Sequence, residues 1–169
     1  MPARRSAPPE QRPFPPYDGA RYDVSRSVGY QIFNLMTLMR REIEQRMAAL
    51  DLTDAQWRPL WMLASGRADS ANEMARLLEM DAGAMTRLLD RLEAKGLIER
   101  LRSATDRRVV HLRLTAAGQA AAAGVPHVLA AVNNEFLNGF SEADWTQLRS
   151  LIERMAANGT ALQAARGPA

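Results

Sequence analysis

The sequence predicts a mainly α-helical fold with one small β-hairpin. Apolar residues recur every three or four positions over long stretches, which is the spacing that places side chains on one face of a helix. The pattern changes once, between residues 97 and 114, where two short runs of β-forming residues flank a polar segment. Residues that commonly cap helices stand at the boundaries of the helical stretches. These observations predict four helices, a hairpin and two further helices.

A long amphipathic helix is predicted over residues 25–50. Residues 1–24 precede it; they are rich in proline and arginine, and we expect a flexible arm there. Residues 51–53 interrupt the periodic pattern and separate this helix from the next. The predicted apolar face of the long helix consists of Val28, Ile32, Leu35, Met36, Met39, Ile43, Met47 and Leu50.

Three shorter helices follow, over about residues 53–65, 70–78 and 81–95. The middle one opens with Ser-Ala-Asn-Glu at residues 70–73, a sequence typical of a capping box. Gly96 stands where the last of the three needs a left-handed C-terminal residue. Their predicted buried faces are Trp57, Leu60, Trp61 and Ala64, then Met74, Leu77 and Leu78, and then Met85, Leu88, Leu89 and Leu92.

The hairpin is predicted from residues 97–102 and 109–114, which have strand-like composition and alternation. The polar, basic link at 103–108 would form its exposed tip. Two helices complete the chain: one over 115–140, with a kink expected at Pro126, and one that starts after Ser141.

Composition excludes several classes of function. The chain has 169 residues, which suits one domain with extensions. It has no cysteine and two histidines, which excludes disulfides, thiolate metal sites and multi-histidine metal sites. The sequence contains no phosphate-binding loop and no paired acid and base, so we expect neither an enzyme nor a bound cofactor. No apolar run is long enough to span a membrane, and we expect a cytoplasmic protein.

The order of elements in residues 51–114 is that of a winged helix-turn-helix. A helix about 12 Å across fits the DNA major groove, and an arginine at a hairpin tip can enter the narrower minor groove. The helices over 25–50 and 115–165 each carry an apolar face without an obvious partner inside one small domain. Because apolar burial is the main source of stability, these helices are predicted to form a dimerisation region.

Residues Met80–Arg100, MDAGAMTRLLDRLEAKGLIER, resemble the recognition helix and first wing strand of the MarR family of transcriptional regulators. The segments Asp106-Arg107-Arg108 and Leu114-Thr-Ala-Ala-Gly118 are similar to that family's wing signature and to the start of its fifth helix. The resemblance extends over roughly residues 25–162. It implies a homodimeric repressor that binds double-stranded DNA at a pseudo-palindromic operator. The residues it assigns to DNA binding are Thr86, Arg87, Arg91, Asp106, Arg107 and Arg108.

Residues Asp51–Arg58 resemble a segment of the family's urate-responsive subgroup, in which an aspartate and an arginine seven positions apart help to bind the ligand. That subgroup also has a tryptophan in its N-terminal helix, whereas no tryptophan precedes Trp57 in this chain. The resemblance therefore implies a small anionic aromatic or heteroaromatic effector rather than urate itself. The predicted ligand-binding residues are Tyr30, Asp51, Arg58 and Trp61.

Simpler interpretations stay open for these residues. Asp51 can serve only as a helix cap, Arg58 can be a surface residue, and Trp61 can belong to the core because it shares an apolar stripe with Trp57.

A second functional hypothesis is a winged-helix protein without a small-molecule effector, which acts by constitutive DNA binding or by protein–protein contact. Binding to DNA without sequence specificity at any salt concentration would favour it.

Overall fold

The computed structural model describes residues 17–102 and 110–167 of the chain. It confirms the mainly α-helical fold with a single antiparallel hairpin. Three short 3₁₀ turns lie at Gly19–Arg21, Val24–Arg26 and Ala48–Leu50. The helices and strands are α1 (Val28–Met47), α2 (Asp54–Ala64), α3 (Ala71–Leu77), α4 (Ala82–Ala94), β1 (Ile98–Arg102), β2 (Val110–Leu114), α5 (Ala116–Phe136) and α6 (Glu142–Arg166). Among the described residues, none of these helices combines the length and hydropathy of a membrane span.

The chain divides into two compact units after Leu38. In the first unit, the hydroxyl of Tyr17 accepts a hydrogen bond from the Val28 N–H at 2.8 Å, so a side chain from upstream caps the start of α1. The rings of Tyr17 and Tyr22 pack edge to face with their centroids 5.5 Å apart. This part of α1 exposes a set of large apolar side chains: Val28, Ile32, Phe33, Leu35, Met36 and Leu38.

The second unit contains one hydrophobic core. The buried stripe predicted for α4 is confirmed, because its four apolar side chains are each at most 1% exposed. They pack with residues of α2, α3, both strands and α5. The side chains that are almost fully enclosed in this core include Leu60, Met74, Met85, Leu88, Leu89, Leu92, Ile98 and Val125.

The hairpin packs one of its faces on this core. In the antiparallel register Arg100 lies opposite Leu112, while Ile98 lies opposite Leu114. Ile98 and Leu112 are buried, as expected for strands with one face inward. The N–H of Leu112 also donates to the carbonyl of Asp69 at 2.7 Å, which ties β2 to the α2–α3 loop.

The capping box predicted at Ser70 is only half formed. The Ser70 hydroxyl accepts the Glu73 N–H at 3.4 Å, but the carboxylate of Glu73 accepts from the N–H of Asp69 at 3.3 Å and not from Ser70. A reciprocal pair does form at the start of α6, where the Asp144 carboxylate accepts the Ser141 N–H at 3.0 Å. Hydrogen bonds from Ser141 lower the pKa of Asp144, because they stabilise its charged form.

A close junction joins the start of α5 to the turn after α4. The Thr115 hydroxyl donates to the carbonyl of Gly96 at 2.6 Å, and the Thr115 N–H donates to the carbonyl of Leu97 at 3.1 Å. The same hydroxyl accepts the N–H of Gly118 at 3.1 Å. A Cβ atom on Gly118 would overlap with the backbone carbonyl of Leu97. Position 118 therefore requires glycine because of this close backbone approach.

We expect Gly118→Ala to lower the free energy of unfolding by about 1–3 kcal/mol, the usual range for overpacking a tight contact. Urea denaturation followed by circular dichroism measures the change. Gly159→Ala is the matched control: it adds the same methyl group inside α6, where the new Cβ meets nothing within 4 Å beyond the helix's own neighbouring backbone, and it should be neutral or slightly stabilising. Equal stability of Gly118→Ala and wild type would show that the junction is not tight.

Candidate nucleic-acid interface

Helices α3 and α4 form a helix-turn-helix. The turn between them contains Glu79 in the left-handed region at φ 51°, and the Met80 N–H donates to the carbonyl of Ala75 at 2.8 Å. Asp81 then caps α4 by accepting the Ala84 N–H at 3.0 Å. The 13 residues of α4 span about 20 Å at 1.5 Å per residue.

The burial of one face of α4 determines which side chains are exposed on the other. Thr86, Arg87 and Arg91, the predicted DNA-binding residues of this helix, all lie on its exposed face. The Thr86 hydroxyl donates to the carbonyl of Ala82 at 2.9 Å, so its oxygen keeps lone pairs for an outside donor. Within the described part of the chain, no carboxylate lies within 4 Å of the guanidinium of Arg87 or Arg91.

Strand β1 is connected to α4 by Arg100. Its guanidinium lies 2.7 Å from a carboxylate oxygen of Asp90 and 2.5 Å from one of Glu93. A second ion pair, between Glu99 and Arg113 at 2.6 Å, joins the two strands across the hairpin. No spacing in the sequence indicates the Arg100 contacts, because residues of a helix and of a following strand share no periodic pattern.

The predicted wing residues Asp106, Arg107 and Arg108 lie outside the described residues. Their assignment to DNA binding therefore stays a prediction. The strands that precede and follow this segment end at Arg102 and begin at Val110, which are paired in the hairpin register.

Asp51, a predicted ligand-binding residue, lies at the corner between α1 and α2, where its backbone is left-handed at φ 54°. Its carboxylate lies 2.8 Å from the Nζ of Lys95, the only lysine of the chain. The same Nζ also donates to the Asp51 carbonyl. These contacts connect the α1–α2 corner to the C-terminal end of α4.

Arg58, another predicted ligand-binding residue, has different partners. Its guanidinium lies 5.3 Å from the centre of the Trp57 ring and 3.8 Å from a carboxylate oxygen of Asp54. Asp54 is 13% exposed and also binds the Nε of Arg40 at 2.9 Å. Asp51 and Arg58 are thus held by separate ion pairs. Tyr30 lies on α1 in the first unit and is exposed.

A cavity of about 450 Å³ lies between α2, β2 and α5. Trp61, the fourth predicted ligand-binding residue, forms part of its wall. Apolar side chains from all three elements line the rest, and the polar groups at its edge are Asp69, Arg113 and Gln119. The lining therefore combines one aromatic wall with one carboxylate, one cation and one amide.

Comparison with known proteins places these features in a family. A sequence model of the MarR family matches residues 50–109. The reduced form of MarR from E. coli is 28% identical, with a TM-score of 0.68 over 76% of this chain and 96% of that one. The transcriptional regulator PA3341 is 31% identical, with a TM-score of 0.68 over 78% of this chain and 97% of that one. A mutant of E. coli MarR complexed with operator DNA is 27% identical, with a TM-score of 0.67 over 76% and 92% of the two chains.

Proposed function

Because this chain belongs to the MarR family and is a DNA-binding transcriptional regulator, we propose that it is a homodimeric repressor controlled by a small aromatic or heteroaromatic acid. The observation that carries the proposal is the exposed face of α4, on which Thr86, Arg87 and Arg91 all face solvent. The complex of E. coli MarR with operator DNA supports DNA as the ligand of this face.

DNA recognition would use α4 in the major groove. Arg87 and Arg91 are one helical turn apart, so their guanidinium groups can contact neighbouring phosphates or base edges on the same side of the helix. The wing at 103–108 would place Arg108 in the minor groove, with Asp106 holding it by a charge-assisted hydrogen bond.

The homodimer would be held by apolar faces that a single chain leaves exposed. Helix α6 has 25 residues, and none of them is buried. Its exposed apolar side chains include Trp145, Leu151, Ile152 and Met155. A monomer rarely leaves a continuous apolar stripe of this length in water, so a second copy is the natural partner. Two-fold symmetry would then set the half-sites about one DNA turn apart, roughly 10 bp.

The effector would bind in the cavity between α2, β2 and α5. Trp61 offers a stacking surface. Arg113 contacts Glu99 through its Nε, and its terminal nitrogens are the groups that would pair with a ligand carboxylate. Because the chain has no cysteine, thiol oxidation cannot serve as the signal, although E. coli MarR has been solved in both oxidised and reduced forms.

Repression would be relieved by a shift in population between two lobe spacings. The cavity contacts β2, which is part of the wing, and α5, which leads into α6. A ligand there can therefore favour a spacing of the two recognition helices that no longer matches the half-sites.

Arg87→Ala and Arg91→Ala should each weaken binding to the DNA that flanks the protein's own gene by about tenfold, since one such contact is worth roughly 1–3 kcal/mol. Fluorescence anisotropy measures Kd at several salt concentrations. A residue that contacts phosphate also lowers the slope of log K against log salt by about one. Arg166→Ala, at the end of α6, removes the same charge and should retain wild-type affinity. Wild-type affinity in both α4 variants would exclude α4 as the reading helix.

Ile152→Asp should convert the dimer to a monomer, because it places a charge in the middle of the apolar stripe of α6. Size-exclusion chromatography with light scattering should give twice the 18.7 kDa chain mass for wild type and about the chain mass for the variant. Ser150→Asp introduces the same charge on another side of α6 and should leave the mass unchanged. A monomeric wild-type protein would contradict the proposed homodimer.

A panel of hydroxybenzoic and pyridine carboxylic acids should contain compounds that raise the melting temperature of the protein. A ligand at about 100 times its Kd stabilises the folded state by about 2.7 kcal/mol. Ala123→Phe should abolish the shift because it fills the cavity from its α5 wall, whereas Ala120→Phe, on an exposed position of α5 outside the cavity lining, should retain it. If no compound produces a shift, constitutive binding without an effector is favoured. A shift that persists in Ala123→Phe would place the effector elsewhere.

A further inference from the structure

The recognition helix carries as many carboxylates as it offers arginines to DNA. Asp90 and Glu93 are three positions apart and therefore lie on one side of α4. Asp90 also follows Arg87 by three positions, a spacing at which a carboxylate and a guanidinium pair on a helix surface. If no other cation paired with them, the negative charges of Asp90 and Glu93 would offset the positive charges of Arg87 and Arg91.

Arg100 changes this balance from outside the helix. It belongs to the face of β1 that also carries the buried Ile98, and this face packs toward α4. One terminal nitrogen of its guanidinium lies 2.7 Å from Asp90 and the other 2.5 Å from Glu93, so a single cation holds both carboxylates. The side chain of Arg100 is 30% exposed, and those of Asp90 and Glu93 are 55% and 40% exposed, so water screens the two ion pairs in part.

The guanidinium of Arg100 stays protonated and positively charged. Partial burial lowers the pKa of Arg100, but hydrogen bonds and the charges of Asp90 and Glu93 outweigh that effect and raise the pKa above its ordinary value. A guanidinium also presents donors in a fixed fork, which a lysine ammonium cannot reproduce on two separate carboxylates.

We propose that Arg100 is a positioning residue for DNA binding, which holds Asp90 and Glu93 against β1 and so keeps their carboxylates from pairing with Arg87 and from repelling the phosphates. This role rests on the proposed function of α4 as the reading helix. Without Arg100, the carboxylate of Asp90 turns to Arg87, and the reading face of α4 loses its net positive charge. Arg100 acts through these residues and makes no contact with the DNA itself.

The test is a charge-rescue cycle with four full-length proteins: wild type, Arg100→Gln, the Asp90→Asn/Glu93→Gln pair, and all three substitutions together. Fluorescence anisotropy gives Kd for the DNA that flanks the protein's own gene, at several salt concentrations. We expect Arg100→Gln to weaken binding about tenfold, in line with the loss of one effective cation at the interface. The triple variant should recover to within about threefold of wild type, and its salt slope should equal that of wild type.

Two results would overturn the inference while leaving the proposed function intact. One is wild-type affinity in Arg100→Gln. The other is an equal loss from Arg100→Gln in both carboxylate backgrounds, with a salt slope lower by about one in each, since that is the behaviour of a direct phosphate contact. Failure of wild type to bind specifically would overturn both the inference and the proposed function.

A folding defect is separated from the proposed role by measuring each variant's melting curve and oligomeric mass. Loss of DNA binding in Arg100→Gln should occur with the wild-type mass and a cooperative melt. The rescue itself is the decisive readout: neutral side chains at 90 and 93 cannot rebuild the lost ion pairs, so a purely structural role for Arg100 would leave the triple variant as defective as Arg100→Gln.

Discussion

Four apolar side chains of α4, namely Met85, Leu88, Leu89 and Leu92, are enclosed almost completely by the core of the second unit. Their burial sets the rotation of the helix about its own axis, because turning the helix would expose apolar surface at a cost of about 25 cal/mol per Å². With the rotation set, Thr86, Arg87 and Arg91 must face solvent. The candidate interface with DNA is thus a consequence of how the opposite face packs.

The position of α4 along its axis depends on its two ends. Asp81 caps the first turn, and Gly96 takes the left-handed conformation after the last one. The carbonyl of Gly96 then accepts from Thr115, and Gly118 allows α5 to approach the same turn closely. Helix α4, strand β1 and helix α5 therefore meet at one junction. The Thr115 hydroxyl and the Thr115 N–H both donate to backbone carbonyls of the turn after α4, those of Gly96 and Leu97.

Most of the fold could be predicted because it is encoded in local patterns. The buried stripe of α4 and the glycine after its end follow from spacing and from the φ that glycine tolerates.

The contacts between distant positions could not be predicted in the same way. Asp51 meets Lys95 across 44 positions, and Arg46 binds both carboxylate oxygens of Glu135 across 89. Such pairs depend on the packed arrangement of helices, and no spacing in the sequence indicates them. For the same reason the predicted ligand pair of Asp51 and Arg58 proved to have separate partners.

These long-range ion pairs contribute more to the relative orientation of the packed helices than to the stability of the fold. The Asp51 side chain is 91% exposed in its pair with Lys95, and Glu135 is 60% exposed in its pair with Arg46. Pairs with this exposure contribute only about 0–1 kcal/mol each. A ligand shifts an equilibrium between two conformations by its difference in affinity for them. The binding free energy of one small molecule is therefore enough to offset the loss of an ion pair that contributes so little. In the proposed repressor, apolar packing would keep each helix intact, while the weak ionic contacts at the α1–α2 corner and between α1 and α5 would be the ones exchanged. The proposed change of lobe spacing without unfolding would need both kinds of contact.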